Sequence, residues 1–434
     1  MGRATQRRND TTRPESSAGR ARAIPNSTRG LVPVTGSEGA GLSRVVRALH
    51  ADGAATRSDL GAKTGLNRST VASIVTELTE LGVVEERAGS VGGVGRPSLV
   101  VSLVPDSMAV IGWDVRVDNS TAIAMGFGGT IQRRWTKEHR RGATDPFEVA
   151  ARIVTGTTEI VEELPDHVLW VGMGLAMPGV IDPGGDPPRS IVHRAPTMGW
   201  VDVDFGAILR AALAEQFGSQ LPVLLGNDAN LGAMAEWTRG AGRGSRTMVF
   251  VSGDVGIGGG IVVDGALMTG ATGFAGEIGH MRFDAAGAPC RCGAVGCWET
   301  AIGAETIIRA AGMDPAQTTV EDIYAAARGG DGSAQAATIA AARAVGGGLA
   351  SIVNVVNPDV VVLAGHLAGL LEEYRHTVME ELRFTLSRQN TDVQVVAPAF
   401  GTDSIVIGAA ELAFEPTLTD PSRLFSHDWL LRTE

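Results

Sequence analysis

The chain has 434 residues, a formal net charge of −11 at pH 7, 44% hydrophobic residues and 58 glycines, which suits two or three globular α/β domains with many tight turns. No run of about 18 apolar residues occurs, so the sequence predicts no membrane span. The arginine-rich N-terminus lacks the apolar stretch of a secretory signal. The three clustered cysteines fit a reducing cytoplasm better than a disulfide framework, so we expect a cytoplasmic protein.

Charge is divided unevenly along the chain. Residues 1–104 hold 14 Lys and Arg against 9 Asp and Glu, whereas the rest of the chain holds 23 against 39. A basic head on an acidic body indicates that the head binds a polyanion. Residues 1–40 are rich in Arg, Ser, Thr and Gly without apolar periodicity, so we expect a disordered basic tail. Its arginines could attract phosphates, although a solvated tail without a defined role is the simpler interpretation.

Residues 41–104 predict a winged helix–turn–helix domain. Apolar residues recur at helical spacing at its start, which indicates a first helix. Thr56 or Ser58 can cap a short second helix, and Gly65 supplies a sharp turn after it. Asn67 can cap the third helix, so the last two helices and their turn form a helix–turn–helix.

The last of these helices has the features of a recognition helix. Its N-terminal end carries short polar and basic side chains that can meet base edges and phosphates. The residues predicted to contact DNA in this region are Arg57, Ser58, Asn67, Arg68, Ser69, Thr70 and Ser73. A glycine-rich hairpin tip at 89–95 then predicts a wing, and Arg96 at its base is expected to contact phosphates or the minor groove. The alternative interpretation is a helical bundle that serves dimerisation.

Apolar strands and glycine-rich turns continue through the remaining two thirds. Val110–Asp114 begins a hairpin whose turn is the F-G-G-T at 127–130. A later strand runs into a helix through Asn227 and Asp228, a pair that taken alone is an ordinary helix cap. The glycine run in Val251–Gly265 is a weak signal by itself, because glycine-rich hairpins are common. The alternation of strands and helices predicts an α/β fold.

The three cysteines of the chain lie within eight positions of one another, beside a histidine. His280, Cys290, Cys292 and Cys297 have the spacing H-x9-C-x-C-x4-C. Three thiols and an imidazole are a ligand set that tetrahedral zinc prefers, and four protein ligands leave no open position. The pattern therefore predicts a structural zinc site rather than a hydrolytic one. The alternative is three buried thiols and a core histidine.

The same segment resembles a known family. Residues 273–299 read G-x-x-G-E-x-G-H followed by C-x-C-G-x-x-G-C-x-E, which is similar to the signature of the ROK family of repressors, open reading frames and sugar kinases. The resemblance covers about residues 105–415 and implies a two-lobed, actin-like (ribonuclease H-like) ATPase fold with a zinc loop at 280–297. Residues 416–434 are then a C-terminal tail.

The resemblance also implies a sugar site. It assigns contacts with sugar hydroxyls to Asn227, Asp228, Glu277, His280 and Glu299, and Asp228 matches the general base of the kinases. Where the family usually has a sugar-binding asparagine, this chain has Thr197, which offers one hydroxyl in place of an amide. This difference leaves the identity of the sugar or sugar phosphate open.

The phosphate-binding loops depart from the family pattern. Active ROK kinases have D-x-G-G-T after the first strand, but here Asp114 is followed by V-R-V-D, without the glycines or the threonine. The F-G-G-T at 127–130 falls at a hairpin turn and does not replace it. In the second loop Asp254 stands where the kinases have threonine, and His366 replaces a glycine near the adenosine. These changes predict a degenerate kinase site, since a carboxylate there opposes phosphate binding.

Three functions are compatible with these patterns. The first is a sequence-specific transcriptional regulator, most simply a repressor of carbohydrate-related genes, in which a sugar changes binding to operator DNA. The second is an ATP-dependent sugar kinase with an added DNA-binding domain. The third is a regulator whose body binds a partner protein instead of a sugar. For a protein that binds an operator we expect a homodimer or homotetramer, because one winged helix usually covers only half of the operator and a second copy is needed for the other half.

Overall fold

The computed structural model describes residues 37–88, 99–139, 145–182, 190–218, 221–385 and 393–422. The N-terminal domain consists of α1 (Ser37–Asp52), β1 (Ala55–Thr56), α2 (Arg57–Thr64), α3 (Arg68–Glu80), β2 (Val84–Ala88) and β3 (Leu99–Leu103). Its three strands form one antiparallel sheet in the order β1-β3-β2, so the predicted three helices and wing strands are present. The wing tip and Arg96 lie outside the described residues.

Local hydrogen bonds explain where these helices begin and end. Thr56 caps α2 in a capping box with Asp59, in which each side chain bonds the other residue's backbone N–H. Gly65 ends α2 with a left-handed φ of 69°, a conformation that favours glycine. The Asn67 side chain accepts a hydrogen bond of 2.9 Å from the backbone N–H of Thr70 and so starts α3. All three features agree with the sequence prediction.

The first lobe of the body follows directly. Its elements are β4 (Met108–Val115), β5 (Asn119–Gly126), β6 (Ile131–Glu138), α4 (Pro146–Glu162), β7 (Leu169–Met177), β8 (Val180–Asp182), β9 (Ile191–Ala195), β10 (Trp200–Val203), α5 (Phe205–Phe217) and β11 (Val223–Asn227). The main sheet has the order β11-β7-β4-β5-β6. β4, β5 and β6 are antiparallel neighbours, and β7 and β11 add parallel strands. β8, β9 and β10 form a small separate sheet.

The second lobe repeats the same topology. Its elements are α6 (Asp228–Arg239), β12 (Thr247–Gly253), β13 (Ile257–Val263), β14 (Ala266–Leu267), α7 (Glu299–Ile302), α8 (Ala304–Ala310), α9 (Val320–Arg328), α10 (Gly332–Val356), β15 (Val360–Gly365), α11 (His366–Leu382), β16 (Gln394–Val396) and α12 (Ser404–Thr419). The sheet order β14-β13-β12-β15-β16 again combines three antiparallel strands with two parallel ones. Two copies of this sheet are the arrangement predicted for an actin-like body.

Two helices connect the lobes. α6 packs on β12 and β13 of the second lobe, whereas α12 returns to pack on β4 and β7 of the first, and the two helices pack against each other. Glycines permit the close approach: a Cβ at Gly174 would lie 1.9 Å from the Ala409 carbonyl oxygen, and one at Gly408 would lie 2.0 Å from that of Leu231. α6 and α12 therefore lie at the junction between the two lobes.

One helix, α10, is long and apolar enough by length and composition to span a membrane. Its buried side chains, including Val345 and Leu349, belong to the core of the second lobe, which is the usual setting for such a helix in a globular domain.

Two predicted boundaries differ from the structure. α1 begins at Ser37, so residues 37–40, which were assigned to the tail, form its first turn. At the other end, α12 continues through Pro416 to Thr419 and extends into the segment assigned as a C-terminal tail. α1 and α12 also pack against each other, a contact that local sequence patterns do not reveal.

Candidate functional site

The loop between β14 and α7 brings the four predicted metal ligands together. The ligand atoms of His280, Cys290, Cys292 and Cys297 all lie within 4.8 Å of one another. Cys290 Sγ is 3.7 Å from His280 Nδ1, and Cys292 Sγ is 3.6 Å from Cys297 Sγ. Zinc–sulfur bonds of about 2.3 Å in a tetrahedron place sulfurs about 3.8 Å apart, so this donor set fits a zinc ion. The predicted Cys3His cluster is therefore present.

Backbone pairing holds the ligand loop in shape. Short bridges pair Arg282 with Cys297 and Pro289 with Val295. The backbone N–H of Cys290 donates to the Ala294 carbonyl at 2.8 Å, which closes a tight turn around the middle ligand. Ligands that are close in sequence thus also come close in space.

Two glutamates lie beside this cluster. With His280 Nδ1 facing Cys290, the Nε2 atom of the same ring is 3.9 Å from a Glu277 carboxylate oxygen. One Glu299 oxygen is 3.9 Å from Cys290 Sγ, and the other accepts a 3.0 Å hydrogen bond from the Ile257 backbone N–H. Burial, with a further contribution from Glu299, raises the pKa of Glu277 despite the opposing effect of His280. Three of the predicted sugar ligands are thus adjacent.

Asn227 and Asp228 occupy the start of α6. Asn227 caps the helix, and its amide donates a 3.0 Å hydrogen bond to the Gly179 carbonyl. One Asp228 oxygen accepts a hydrogen bond of 2.7 Å from Ala229 N–H, and burial raises the pKa of Asp228 to about 7. A Cβ at Gly258 would lie 4.0 Å from Asp228, and one at Gly256 would lie 2.8 Å from Glu299. Asp228 and Glu299 therefore approach the same short stretch of backbone.

Thr197 lies apart from these carboxylates in the turn between β9 and β10. The same β9–β10 hairpin approaches Asn227, because the Gly179 that accepts a hydrogen bond from Asn227 packs against Ala195. Thr197 Oγ1 is buried and has no hydrogen-bond partner among the described residues. A buried hydroxyl without a partner retains its capacity to donate and to accept a hydrogen bond.

The position of the family's first phosphate loop is taken by Arg116. Its Nε donates to Asp114 at 2.8 Å, and its Nη1 lies 3.0 Å from an Asp254 oxygen. Asp114 belongs to the first lobe and Asp254 to the second, so this arrangement, the Arg116 bridge, spans the cleft. The sequence shows the lost glycines but not the bridge, since no local pattern places these three charges together.

A cavity of about 1000 Å³ remains between the lobes beyond this bridge. Its lining includes Arg116, Asp254, Thr319, His366 and Ser404. The His366 ring is buried against the second glycine-rich loop, with Nε2 2.9 Å from the Ile302 carbonyl oxygen. The cavity therefore lies where the family resemblance locates adenosine, and Arg116 at its edge already pairs with Asp114 and Asp254.

The predicted DNA surface is mostly open. Ser58, Arg68, Ser69 and Ser73 are exposed, and Thr70 is half-buried. Two residues have structural roles instead: Asn67 caps α3, and the Arg57 guanidinium makes two hydrogen bonds of 2.7 Å to Glu86 of β2. Arg57 is therefore held by a strand of the wing in this conformation.

Fold and site together define a winged helix–turn–helix domain joined to a two-lobed body of the sugar-kinase type. The chain belongs to the ROK family, whose family model matches residues 114–415, and a winged helix-turn-helix DNA-binding model matches residues 43–85. The predicted family is thus confirmed.

Relatives include both regulators and enzymes. The chain is 28% identical over 362 residues to the xylose repressor of Bacillus subtilis (strain 168), covering 81% of this chain and 91% of that protein. It is 29% identical over 327 residues to a glucokinase of Halalkalibacterium halodurans, covering 69% of this chain and 94% of the enzyme.

Solved structures confirm the predicted fold. A ROK family transcriptional regulator described as a homologue of the E. coli MLC protein has a TM-score of 0.72 at 23% identity, covering 89% of this chain and 98% of that one. A ROK glucokinase from Streptomyces griseus, in complex with glucose and AMPPNP, has a TM-score of 0.60 at 25% identity, covering 71% and 99%.

Proposed function

We propose that the protein is a sugar-responsive transcriptional repressor whose ROK body binds a sugar without phosphorylating it. The Arg116 bridge carries this proposal. Its guanidinium is held by Asp114 and Asp254 at the place where an ATP-dependent enzyme needs free glycine backbone for phosphates. A chain with that arrangement and a winged helix–turn–helix domain matches the architecture of the xylose repressors among its relatives. Its place of action is then the cytoplasm.

The proposed sugar site lies between α6 and the Cys3His cluster. Its residues are Asn227, Asp228, Glu277, His280 and Glu299, with Thr197 on the neighbouring turn. Carboxylates and an imidazole are suitable partners for sugar hydroxyls, each of which both donates and accepts hydrogen bonds. The names of the relatives make D-xylose and D-glucose the first ligands to test.

We further propose that the Cys3His cluster holds a structural zinc ion. The ion would be bound by His280 Nδ1 and the three thiolates, and it would supply rigidity rather than catalysis because no coordination position stays open. The Nε2 atom of His280 then remains on the side of Glu277, where it can bind the sugar. The cluster would thus orient one of the sugar ligands.

DNA binding in this proposal depends on the exposed N-terminal end of α3. Arg68, Ser69 and Ser73 would enter the major groove, and a homodimer or homotetramer would place two such helices on a palindromic operator. We expect Arg68→Ala to reduce operator affinity by about 5- to 100-fold, the usual cost of losing one base contact. Titrations at several salt concentrations measure this, and Arg309→Ala, a change at an exposed arginine of the second lobe, is the control. Equal operator affinity of the wild type and Arg68→Ala would show that Arg68 does not contribute to DNA binding.

An ATP-dependent sugar kinase is the second candidate. It is favoured by Asp228, whose raised pKa of about 7 suits a general base, and by the glucokinase relatives. The Arg116 bridge opposes it. Turnover of ATP in the presence of D-glucose or D-xylose would show that the protein is a sugar kinase. It would contradict the proposal that the ROK body binds a sugar without phosphorylating it.

The deciding experiment is fluorescence anisotropy with labelled DNA from upstream of the protein's own gene. Saturable binding that resists competitor DNA and weakens with one sugar is the expected result. Specific binding that no sugar changes, together with stable capture of one protein partner, would favour a body that answers to a protein. Absence of specific binding would reject the repressor.

A further inference from the structure

A buried polar cluster connects the DNA-binding domain to the body. It consists of His50 on α1, Glu411 on α12, Arg239 at the end of α6 and Gly128 in the F-G-G-T turn between β5 and β6. The side chains of His50, Glu411 and Arg239 are only 3%, 12% and 16% exposed. Charged groups buried at a domain boundary are costly unless they are well paired, so their geometry is informative.

The hydrogen bonds of the cluster form a closed ring. Arg239 Nε donates to one Glu411 oxygen at 2.7 Å, and the other Glu411 oxygen is 2.9 Å from His50 Nε2. Gly128 N–H donates to His50 Nδ1 at 3.2 Å, and the Gly128 carbonyl accepts from Arg239 Nη1 at 2.8 Å. Because Nδ1 accepts a hydrogen bond, the ring proton is on Nε2 and is donated to Glu411. The rings of Phe127 and Phe414 pack against the imidazole, with distances between ring centroids of 5.2 Å and 4.9 Å.

One donor of this ring has no partner. Arg239 Nη2 is buried without a hydrogen bond among the described residues. An unsatisfied buried donor costs free energy, so this arrangement is less stable than one in which Nη2 is also paired.

The members of the ring lie on three parts of the molecule, which are the second lobe, the first lobe and the DNA-binding domain. Arg239 ends α6, which begins at the proposed sugar ligand Asp228 about 16 Å away at 1.5 Å per residue and which packs on the second lobe. Gly128 belongs to the first lobe, and Glu411 lies on α12, which packs on that lobe. His50 lies on α1, which packs against α2 and α3. The Arg239–Glu411 bond therefore joins a helix packed on the second lobe to a helix packed on the first, and the Glu411–His50 bond continues this connection to α1.

We propose that the Arg239–Glu411–His50 relay couples the sugar cleft to the DNA-binding domain. This inference rests on the proposed function and names its transmitting contact. When a sugar draws the lobes together, α6 moves relative to α12, the Arg239–Glu411 pair is displaced, and α1 loses the contact that fixes its orientation.

The test compares two carboxylates of the same helix. Glu411→Gln keeps the size of the side chain but weakens the relay. Glu415→Gln alters the exposed Arg47–Glu415 pair, which also joins α1 to α12 and whose other hydrogen-bond partner among the described residues is Thr419 of α12. Operator affinity is measured by anisotropy with and without saturating D-xylose or D-glucose, and sugar affinity by calorimetry. In the wild type we expect sugar to change operator affinity by about 5- to 150-fold, the usual range of allosteric coupling. In Glu411→Gln this change should fall to less than about twofold. Glu415→Gln should respond as wild type does, with sugar affinity unchanged in both.

Position 50 supplies a second pair of variants that guards against misfolding. His50→Phe keeps a ring between Phe127 and Phe414 but loses both hydrogen bonds, so it should lose the sugar response. His50→Gln offers a donor to Glu411 and an acceptor to Gly128, so it should retain most of it.

The outcomes separate the two proposals. A wild-type protein whose operator affinity no sugar changes overturns the proposed function, and the relay with it. A responsive wild type with an equally responsive Glu411→Gln and His50→Phe overturns the relay alone. Equal loss in Glu411→Gln and Glu415→Gln also overturns it, because the coupling would then belong to the whole α1–α12 contact.

Discussion

Asp228 illustrates a conflict between binding and stability at a single residue. Its carboxylate is needed for a sugar hydroxyl in the proposed site, yet burial, with further repulsion from Asp114 and Asp254, raises its pKa to about 7. An acid with a raised pKa binds more protons folded than unfolded. The folded state therefore loses stability as the pH rises from the unfolded value of about 3.9 towards 7.

We accordingly expect Asp228→Asn to increase the free energy of unfolding by roughly 1–4 kcal/mol above pH 8, while sugar affinity falls. The gain should shrink as the pH is lowered towards 4.5, where wild-type Asp228 is protonated. Chemical denaturation of both proteins at three pH values measures this. Asp264→Asn is the control, because Arg246 lowers the pKa of the exposed Asp264 and no gain should appear. A stability difference that does not depend on pH would contradict the argument.

Elements governed by local chemistry were predictable from the sequence. The caps at Thr56 and Asn67 and the turn at Gly65 need only near neighbours, and the ligand spacing of 280–297 specifies a compact loop. The packing of α1 on α12 was not predictable, and the helix limits at Ser37 and Thr419 also differ from the expected boundaries. Local patterns do not encode which distant helix covers an apolar face.

For the ligand loop we expect Cys297→Ser to lose bound zinc and to lower the melting temperature by about 5–10 °C, which corresponds to about 3 kcal/mol for a body of this size. Elemental analysis and thermal unfolding of the purified protein test it. Arg291→Ala changes an exposed residue between two ligands and should keep both zinc and stability. Zinc content and melting temperature equal to wild type in Cys297→Ser would exclude the metal site.

At the scale of the whole molecule, ionic contacts join parts that are remote in sequence. The Arg116 bridge ties the first lobe to the second, and the relay at Glu411 ties both lobes to α1. The sequence indicates a degenerate phosphate site, because glycines are visibly missing. It does not indicate what fills the site, since the partners of Arg116 meet only after both sheets have formed.

We expect Arg116→Ala to loosen the cleft, because it leaves the buried Asp114 beside Asp254 without a counter-ion. Hydrogen exchange at the Asp254 turn should accelerate about tenfold or more without sugar. Arg246→Ala removes an ion pair within the second lobe and should leave that turn unchanged. Equal exchange in Arg116→Ala and wild type would show that the bridge does not hold the lobes.

The contact between α1 and α12 also has a consequence for protein synthesis. Ser43 on α1 donates a 2.6 Å hydrogen bond to the Leu418 carbonyl, and Arg47 pairs with Glu415. The DNA-binding domain therefore docks on a helix that leaves the ribosome after the strands of both lobes. N-terminal domains usually fold first during translation. During synthesis the winged helix–turn–helix domain is therefore complete before α12, the helix on which it docks, has been made. A premature stop codon before Ser404 would produce a head that no sugar can control.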